Sequence, residues 1–478
     1  MTETETGPCG YVHSTEEGEW ECPHPVPDGG SACPFHADPG ETTTGAVREA
    51  FLDAVRGPPE RWEFLGATVP TLDLRHVLVD LDNRETVDLR DATVEGDLLL
   101  DYVTVRQPLD LSGATVEGDV RGYNFDVESE FTCRSLDCGG TLDFHEATFS
   151  KNVTFDGTTV GEDARFEFAA FHGAASFDGL TVTGTTTFRE ATFRRTASFD
   201  GVRFGRRADL SADRFSVLEL APDRQPDDGL VPLVGCEVDR GRVLMGETDV
   251  PLYDCTDTVL GDVHFDGPDR VFGHLRLRRT EYDGFDFGAH RQEFLEVNYR
   301  IHEEVGGRVA TDGGVERLGR GEVERLYENA SVGAREGGYP ELARQFKVYR
   351  RLFERRRHFE EFTTAERPLE RVDASNRWLL NVVESLITGY GERPWRALFS
   401  SFSILLMYGV LYQAVAAVES LGAGVRTSAE VMLAFLLGMP DAYEVAEPAV
   451  RLVMQTQAVV GFVVIGVVFV SMVTDRVT

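Results

Sequence analysis

Apolar residues recur every eleven positions along the middle of the chain. Between Val87 and Leu218 the sequence divides into twelve units of eleven residues, with no insertion between them. The third and eighth positions of these units hold an apolar residue in 23 of 24 places, and Gly122 is the exception. The third positions are Leu89, Leu100, Leu111, Gly122, Cys133, Phe144, Phe155, Phe166, Phe177, Phe188, Phe199 and Leu210. The eighth positions are Val94, Val105, Val116, Val127, Cys138, Phe149, Val160, Phe171, Val182, Phe193, Phe204 and Phe215.

The spacing between these apolar positions alternates between five and six residues. An α-helix requires a period of about 3.6 residues and a flat strand a period of about two, so neither fits. Short β-strands that are separated by corners and stacked on one another do fit, because each unit then buries its apolar side chains against its neighbours. The pattern therefore predicts a β-solenoid. Cys133 and Cys138 lie at inward positions, which favours core thiols over metal ligands.

Three of the units read LDFHEATFSKN (142–152), TTFREATFRRT (186–196) and ASFDGVRFGRR (197–207). These units resemble the phenylalanine-rich variant of the pentapeptide-repeat family. The resemblance implies a right-handed quadrilateral β-helix over residues 87–218.

The segments on either side of the repeats follow other patterns. Residues 41–86 are predicted to hold a helix at Thr44–Val55 and an N-terminal cap of the β-helix. Residues 219–287 are predicted to form an irregular continuation of the β-helix and a second cap. Residues 288–395 show helical periodicity and predict an α-helical stalk. Its helices are expected at 290–305, 315–336, 340–362 and 374–388.

Two long uncharged segments follow the stalk. Ala397–Val418 has 22 residues and Leu452–Thr474 has 23, and neither contains a charged side chain. About 20 apolar residues cross a hydrocarbon core, so residues 396–478 are predicted to form two transmembrane helices in the cell membrane. Arginines are concentrated before the first span, which places both termini in the cytoplasm by the positive-inside rule. Buried helices of a soluble protein are the alternative.

The region between the two spans contains a further apolar run, Val431–Pro440, which is too short to cross a bilayer and predicts a re-entrant helix. Two spans that enclose a half-helix resemble the two-transmembrane, pore-loop potassium channels. The resemblance implies a homotetramer around the spans. Pro440 stands where a potassium filter has its second glycine. Proline fixes φ at about −65°, whereas that glycine supplies backbone freedom, so this position argues against potassium selectivity. The filter-equivalent residues are Leu437, Gly438, Met439, Pro440 and Asp441.

Residues 1–40 are rich in cysteine and histidine and show no periodicity. Cys22 and Cys33 are followed by His36 at a spacing typical of small zinc sites, and Cys9 can supply a fourth ligand. The segments Trp20-Glu21-Cys22-Pro23 and Cys33-Pro34-Phe35-His36 resemble the three-cysteine, one-histidine zinc motif of the WRC type. We expect a small module folded by structural zinc, with no open coordination position for catalysis. A disordered tail with incidental cysteines and histidines is the alternative.

The chain is strongly acidic. Its formal net charge is −34, and of its 47 basic residues only Lys151 and Lys347 are lysines. This composition is typical of halophilic proteins, in which concentrated salt screens the repulsion between surface charges. An acidic surface that binds a basic protein partner is the alternative. Nucleic-acid binding is not expected, because no basic face is available to neutralise phosphates. Seven cysteines without a paired framework indicate a reducing compartment.

One basic cluster stands out within the stalk. We interpret it as a contact with anionic lipid headgroups, which attract arginine and lysine near a membrane. An exposed helix face that pairs with acidic neighbours is the alternative. The cluster consists of Arg344, Lys347, Arg350, Arg351, Arg355, Arg356 and Arg357.

The sequence contains no P-loop, no dinucleotide-binding glycine motif and no nucleophile elbow, so no enzyme activity and no small-molecule substrate are predicted. The function predicted is that of a membrane-anchored, ion-channel-like protein with a cytoplasmic β-helix for sensing or docking. The alternative is a non-conducting membrane scaffold that recruits protein partners through the β-helix and the zinc module. Some pentapeptide-repeat proteins mimic DNA and inhibit topoisomerases, which suits the acidity but not a membrane anchor.

Overall fold

The computed structural model describes residues 9–15, 18–58, 62–80, 85–246, 251–267, 271–301, 318–390, 394–416, 419–436 and 447–477. Contacts between residues divide the chain into two compact units. The first unit comprises Met1–Leu318 and Val332–Leu342 and contains the β-structure. The second unit comprises Gly319–Ser331 and Ala343–Thr478 and is helical.

The first unit is a β-solenoid built from very short strands. Most strands contain two residues, and each pairs in parallel with the strand one coil further on, as Leu109 does with Phe131. The paired residues are 22 positions apart, so one coil consists of two of the eleven-residue units. Four strands and four corners complete each coil, which confirms the quadrilateral β-solenoid predicted from the repeat.

The strands on each face of the solenoid are stacked in chain order. One face contains Thr68–Val69, Thr93–Val94, Thr115–Val116, Asp137–Cys138, Thr159–Val160 and Thr181–Val182. The next contains Leu72–Asp73, Leu98–Leu99, Val120–Arg121, Leu142–Asp143, Ala164–Arg165, Thr185–Thr187 and Arg207–Asp209. The third contains Leu78–Val79, Thr104–Val105, Asp126–Val127, Thr148–Phe149 and Ala170–Phe171. The fourth contains Val87–Asp88, Leu109–Asp110, Phe131–Thr132, Val153–Thr154 and Ala175–Ser176.

The third and eighth positions of the repeat form the core, as predicted, and all of their apolar side chains are buried. Phenylalanines one coil apart stack face to face, with ring centroids 4.6 Å apart for Phe171 and Phe193 and 4.8 Å apart for Phe166 and Phe188. These distances match the spacing between hydrogen-bonded strands, because the rings repeat with the coil. Burying one such side chain stabilises a fold by about 1.5–3 kcal/mol.

Gly122 is the one inward position without an apolar side chain, and the structure supplies the reason. A Cβ atom at Gly122 would lie 2.5 Å from the ring of Phe144, which occupies the equivalent position one coil later. The glycine therefore leaves the space that the phenylalanine ring fills. The exception belongs to the packing of the core and does not interrupt the repeat.

The solenoid continues beyond Leu218 with nearly the same coil length. Leu230 pairs with Leu252 and Leu260 pairs with Tyr282, both at a separation of 22 residues. Two faces merge here into longer, bent strands, Thr192–Asp200, Arg214–Ala221, Glu237–Leu244 and Val259–Asp266, which end in Glu281–Tyr282. A separate face contains Leu230–Pro232, Leu252–Asp254 and Leu275–Arg276, and a 3₁₀-helix lies at Val271–His274. The side chains of Cys255, Phe265, Tyr282 and Phe285 belong to the core of this continuation and are all buried.

The N-terminal segment covers the first coil. A two-stranded hairpin, Val12–Thr15 with Gly18–Glu21, precedes helix α1, Thr44–Arg56, which is one residue longer than predicted. Thr43 caps α1 because its hydroxyl accepts a hydrogen bond from the backbone N–H of Ala46 at 3.2 Å. The apolar face of α1 is buried, and Phe51 stacks on Phe64 of the first coil at 4.8 Å. The helix thus closes one end of the apolar core.

The structure corrects the predicted first and last residues of the remaining helices. The helix expected at 290–305 is a short α2 that ends at Glu296, and the helix expected at 374–388 begins at Pro368. Proline is compatible with the first turn of a helix because its missing N–H would have no partner there. The helices that follow α2 (Arg291–Glu296) are α3 (Arg320–Glu336), α4 (Pro340–Thr364), α5 (Pro368–Ile387), α6 (Pro394–Val415), α7 (Leu421–Leu436) and α8 (Pro448–Val477).

Within the described residues, one of the two predicted spans has the length and composition to cross a membrane. That stretch is Pro448–Gly466 of α8, whereas the apolar part of α6 is the shorter segment Phe399–Val415. Helix α7 begins ten residues before the re-entrant helix predicted at Val431–Pro440. The filter-equivalent residues Leu437, Gly438, Met439, Pro440 and Asp441 lie outside the described residues.

Candidate functional site

Four metal-ligating side chains meet beside the first coil of the solenoid. The sulfur atoms of Cys9, Cys22 and Cys33 and one ring nitrogen of His36 all lie within 4.8 Å of one another. The two sulfurs of Cys22 and Cys33 are 3.8 Å apart, and the Sγ of Cys33 is 3.3 Å from the Nδ1 of His36. The Sγ of Cys9 is 3.9 Å from the same Nδ1. The structure therefore assembles the four predicted ligands into one cluster.

The geometry of this cluster suits a tetrahedral metal ion. Zinc binds thiolate sulfur at about 2.3 Å, so two sulfurs of one tetrahedral site lie about 3.8 Å apart. The separation between the sulfurs of Cys22 and Cys33 agrees with that value. A three-cysteine, one-histidine set is also a donor set that zinc prefers. The Cys₃His cluster can therefore hold a metal ion.

Backbone hydrogen bonds position the ligands. The N–H of Cys22 donates to the carbonyl of Tyr11 at 2.9 Å, and the N–H of Cys9 donates to the carbonyl of His24 at 3.1 Å, which brings the two hairpin cysteines together. A tight turn places Cys33 and His36 side by side, because the N–H of His36 donates to the carbonyl of Cys33 at 3.0 Å. One hairpin and one turn thus bring the four ligands together.

The first coil of the solenoid orients the histidine ligand. The Nε2 of His36 lies 3.1 Å from the carbonyl oxygen of Leu65. Donation from Nε2 to this carbonyl leaves the lone pair of Nδ1 directed at the three sulfurs, an arrangement common around zinc. The ring of Tyr11 stacks on His36 with centroids 3.8 Å apart and restricts its rotation.

Further contacts connect the segment that carries the ligands to the same coil. The N–H of Thr68 donates to the carbonyl of Phe35 at 2.6 Å, and the Nε2 of His24 lies 2.9 Å from the carbonyl of Glu63. The indole N–H of Trp20 donates to the carboxylate of Glu63. The sequence pattern predicts a small zinc module at residues 1–40, and the described residues of this segment pack against the β-solenoid. A metal at the cluster would connect the hairpin to the turn beside the first coil.

Cys33 binds its proton tightly when no cation is present. Contact with the thiol of Cys22, together with burial, raises the pKa of Cys33 to about 12. A bound metal ion requires thiolate ligands, so it would displace this proton. The other cysteines lie in the solenoid core. Burial raises the pKa of Cys138 to about 11 and raises the pKa values of Cys133 and Cys236 well above the usual range, as expected for inert core thiols.

The basic cluster of the stalk lies on α4, where its members have different environments. Arg350 pairs with Glu328 of α3 at 3.1 Å, and Arg357 pairs with Glu324 of α3 at 2.8 Å. The hydrogen bond to Glu324 raises the pKa of Arg357. Arg351 pairs with Glu354 on its own helix at 2.9 Å. Arg350 and Arg357 therefore connect α4 to α3, and Arg351 forms a pair within α4. Such pairs are expected of a helix face that pairs with acidic neighbours.

Helices α6, α7 and α8 pack together around a buried polar network. The hydroxyl of Tyr412 donates to the Oε1 of Gln457 at 2.8 Å. The Nε2 of Gln457 donates to both the backbone carbonyl and the hydroxyl of Ser428, each at 2.8 Å. All three side chains are buried, and the surrounding apolar cluster includes Tyr408 and Val431. The sequence showed three apolar helical segments, but not which polar side chains meet between them.

Two glycines allow α6 and α7 to cross closely. A Cβ atom at Gly424 would lie 2.2 Å from the carbonyl oxygen of Gly409, so the two backbones are in direct contact. Small residues at helix crossings and buried polar side chains between helices are both common in membrane bundles. Apolar side chains on the outside of the bundle remain exposed, among them Phe402 at 61% and Phe462 at 67%.

Comparison with known proteins identifies the repeat. A family model described as pentapeptide repeats (9 copies) matches residues 137–181 and 169–212. No curated protein and no solved structure gives a significant match to the chain. The match of the sequence to pentapeptide repeats therefore agrees with the β-solenoid seen in the structure.

Proposed function

We propose that this chain of pentapeptide repeats is a membrane-anchored, ion-channel-like protein with a cytoplasmic β-solenoid for sensing or docking. The observation that carries the proposal is the outer surface of the helical bundle formed by α6, α7 and α8. Phe399, Phe402, Val459 and Phe462 are each more than 60% exposed. Exposed apolar surface of this kind marks a site that a membrane or another protein covers, and α8 is long enough to cross a bilayer.

The interior of the bundle supports the same assignment. Apolar helices in lipid gain little from burying apolar surface, so they associate through close backbone contact and interhelical hydrogen bonds. The close backbone contact occurs where Gly409 and Gly424 cross. The interhelical hydrogen bonds are those that join Tyr412, Gln457 and Ser428. We propose a two-pass topology in which α6 and α8 span the cell membrane and both termini are cytoplasmic.

The arrangement of a shorter helix between two longer ones suggests a pore-loop layout. Helix α7 has 16 residues and packs against both α6 and α8. One such hairpin cannot enclose a pore, so conduction requires a homo-oligomer, for which the resemblance to potassium channels implies a tetramer. Pro440 argues against selective potassium conduction, because proline cannot supply the backbone freedom of a filter glycine.

We propose that the Cys₃His cluster binds structural zinc. Its four protein ligands leave no position for a substrate, and its contacts with Leu65 give it a role in holding the N-terminal segment against the first coil. The acidic outer surface of the solenoid suits a basic protein partner in the cytoplasm. Arg344 and Lys347, in the N-terminal part of α4, are the members of the basic cluster that we propose as contacts for anionic lipid headgroups, which attract arginine and lysine near a membrane.

A non-conducting membrane scaffold is the second candidate. Its support is Pro440 at the filter-equivalent position, together with a bundle whose centre is filled by a hydrogen-bonded network. In this form the anchor would only position the solenoid and the zinc module at the membrane, where they would recruit protein partners.

Ion flux and mass measurements distinguish these candidates. The full chain would be purified in neutral detergent, its mass determined by light scattering, and its flux measured in vesicles loaded with potassium or sodium. Channel-like function predicts a tetramer and ion release above that of protein-free vesicles. A monomer that inserts without flux would leave the scaffold. Protein that stays in the aqueous phase without detergent would refute the membrane anchor and both candidates.

A further inference from the structure

Three helices of the second unit form an open groove of about 330 Å³. Helix α3 contributes one cationic side chain, α4 contributes two arginines and two aromatic rings, and α5 contributes an indole. The lining residues are Arg320, Phe353, Arg355, Arg356, Phe359 and Trp378. The groove thus combines guanidinium groups with aromatic rings in a chain whose net charge is −34.

The charge of the groove is locally positive. Its lining includes three arginines and no carboxylate. Arg355 and Arg356 have no ion pair with a carboxylate within the described residues, although their neighbours Arg351 and Arg357 do. Arg320 lies 3.4 Å from Glu360, and both side chains are about half exposed, so water and ions compete for this pair. An anion that enters the groove would meet the guanidinium groups of Arg355 and Arg356, for which the described residues provide no carboxylate partner.

The aromatic rings provide flat surfaces beside these cations. The rings of Phe359 and Trp378 lie 5.8 Å apart at an angle of 50°, and Phe359 is 45% exposed. The guanidinium of Arg356 lies over the ring of Phe353, 4.9 Å from its centroid. Phe359 also lies 6.3 Å from the ring of Phe362 at an angle of 48°, so neither of its neighbours stacks face to face on it, and its exposed face is available to a planar ligand.

We propose that this groove binds a purine nucleotide. The guanidinium groups of Arg320, Arg355 and Arg356 match phosphate oxygens, because arginine donates paired hydrogen bonds in a planar fork. The rings of Phe359 and Trp378 suit the base, since nucleobases stack on aromatic side chains. A volume of about 330 Å³ lies within the range of small-molecule sites.

A lipid headgroup shares the phosphate chemistry but not the planar ring. Binding of a headgroup would use the arginines and leave Phe359 and Trp378 without a role. The nucleotide accounts for both kinds of side chain, and it does not depend on conduction or on the membrane topology.

The test uses the full chain in neutral detergent with ADP as the probe. Titration calorimetry is expected to detect ADP binding, and the fluorescence of Trp378 is expected to fall as the base stacks on it. The double variant Arg355→Gln/Arg356→Gln is expected to bind ADP about tenfold or more weakly, because charge-assisted hydrogen bonds to phosphate are lost. Trp378→Phe should abolish the fluorescence change. The matched control is Arg344→Gln/Lys347→Gln, which removes two charges from the same helix outside the groove and should leave ADP affinity unchanged.

Three outcomes would overturn the proposal. One is the absence of ADP binding at millimolar concentration. Another is equal weakening by both double variants, which would indicate general charge attraction. The third is displacement of bound ADP by vesicles that contain phosphatidylglycerol but not by vesicles of phosphatidylcholine alone, which would assign the groove to an anionic headgroup. Unchanged thermal unfolding of each variant would verify that it is folded.

Discussion

The hydroxyl of Tyr412 on α6 donates a hydrogen bond to the amide oxygen of Gln457 on α8, at 2.8 Å, and both side chains are buried. Gln457 in turn donates to Ser428 on α7. This one amide therefore joins all three helices of the bundle. Every helix contributes one polar side chain to the network, so no member can be removed without leaving a partner unsatisfied.

The first prediction concerns this network. Gln457→Leu removes the acceptor of the Tyr412 hydroxyl and the donor to the Ser428 hydroxyl, and we expect it to destabilise the bundle by about 1–3 kcal/mol. Thermal unfolding of the full chain in detergent would measure the change. Gln455→Leu, at an exposed position of the same helix, is the control and should have little effect. Equal effects of the two substitutions would show that the network does not hold the helices together.

The second prediction concerns the close crossing of α6 and α7. Gly424→Ala places a methyl group against the backbone of Gly409, so the helices must separate, at a cost of about 1–3 kcal/mol. Gly422→Ala is the matched control, since its nearest neighbour would be Ser420 at 3.9 Å. Alanine favours helix over glycine, so this control should be neutral or slightly stabilising. If both alanine variants unfold at the temperature of the wild type, α6 and α7 do not cross as closely as described.

The third prediction concerns the Cys₃His cluster. Protein purified in the presence of zinc should contain about one zinc ion per chain, measured by elemental analysis, because the cluster provides a complete tetrahedral ligand set. Cys33→Ser should lose most of this zinc, and a strong chelator should lower the thermal stability of the wild type. Cys138→Ser, which alters a thiol of the solenoid core, should keep the zinc. Zinc content that is the same in both variants would exclude the cluster as the site.

The fourth prediction concerns Asp213, a carboxyl at an inward position of the solenoid. It is fully buried, its Oδ1 accepts a hydrogen bond from the N–H of Ala191 at 2.8 Å, and burial raises its pKa well above the usual 3.8. Nearby Asp209 and Glu190 raise its pKa further. The folded protein therefore binds a proton that the unfolded chain has released, so stability falls as the pH rises above about 4.

Asp213→Asn keeps the shape and the acceptor but cannot ionise. We expect it to raise the free energy of unfolding at pH 7 and to flatten the decline with rising pH, because the buried carboxyl no longer has to stay protonated or lose its charge on folding. Unfolding measured between pH 4 and pH 8 provides the test, with Asp239→Asn at an exposed position as the control. A variant that is less stable than the wild type at neutral pH would mean that the carboxylate is needed in its charged form.

The eleven-residue period was sufficient to predict the solenoid and its core. Residues such as Phe166 and Phe188 contact each other because they occupy equivalent positions one coil apart, and that relation is visible in the chain. The continuation to Tyr282 was harder to see, because the register changes between Phe193 and Thr196, where two faces merge into one bent strand. The four ligands of the metal cluster were identified by residue type and spacing, which zinc restricts more narrowly than most ligands do.

The sequence by itself determined the features that repeat with the coil or with the turn of a helix: the β-solenoid, its buried positions and the apolar helical segments. Such features depend on contacts between near neighbours, and these leave a period in the chain. Only the tertiary structure decided how the ligand segment packs against Leu65, which arginines pair with Glu324 and Glu328, and how Tyr412 meets Gln457. These contacts join residues far apart in the chain, and the geometry that selects each partner exists only after the elements have packed.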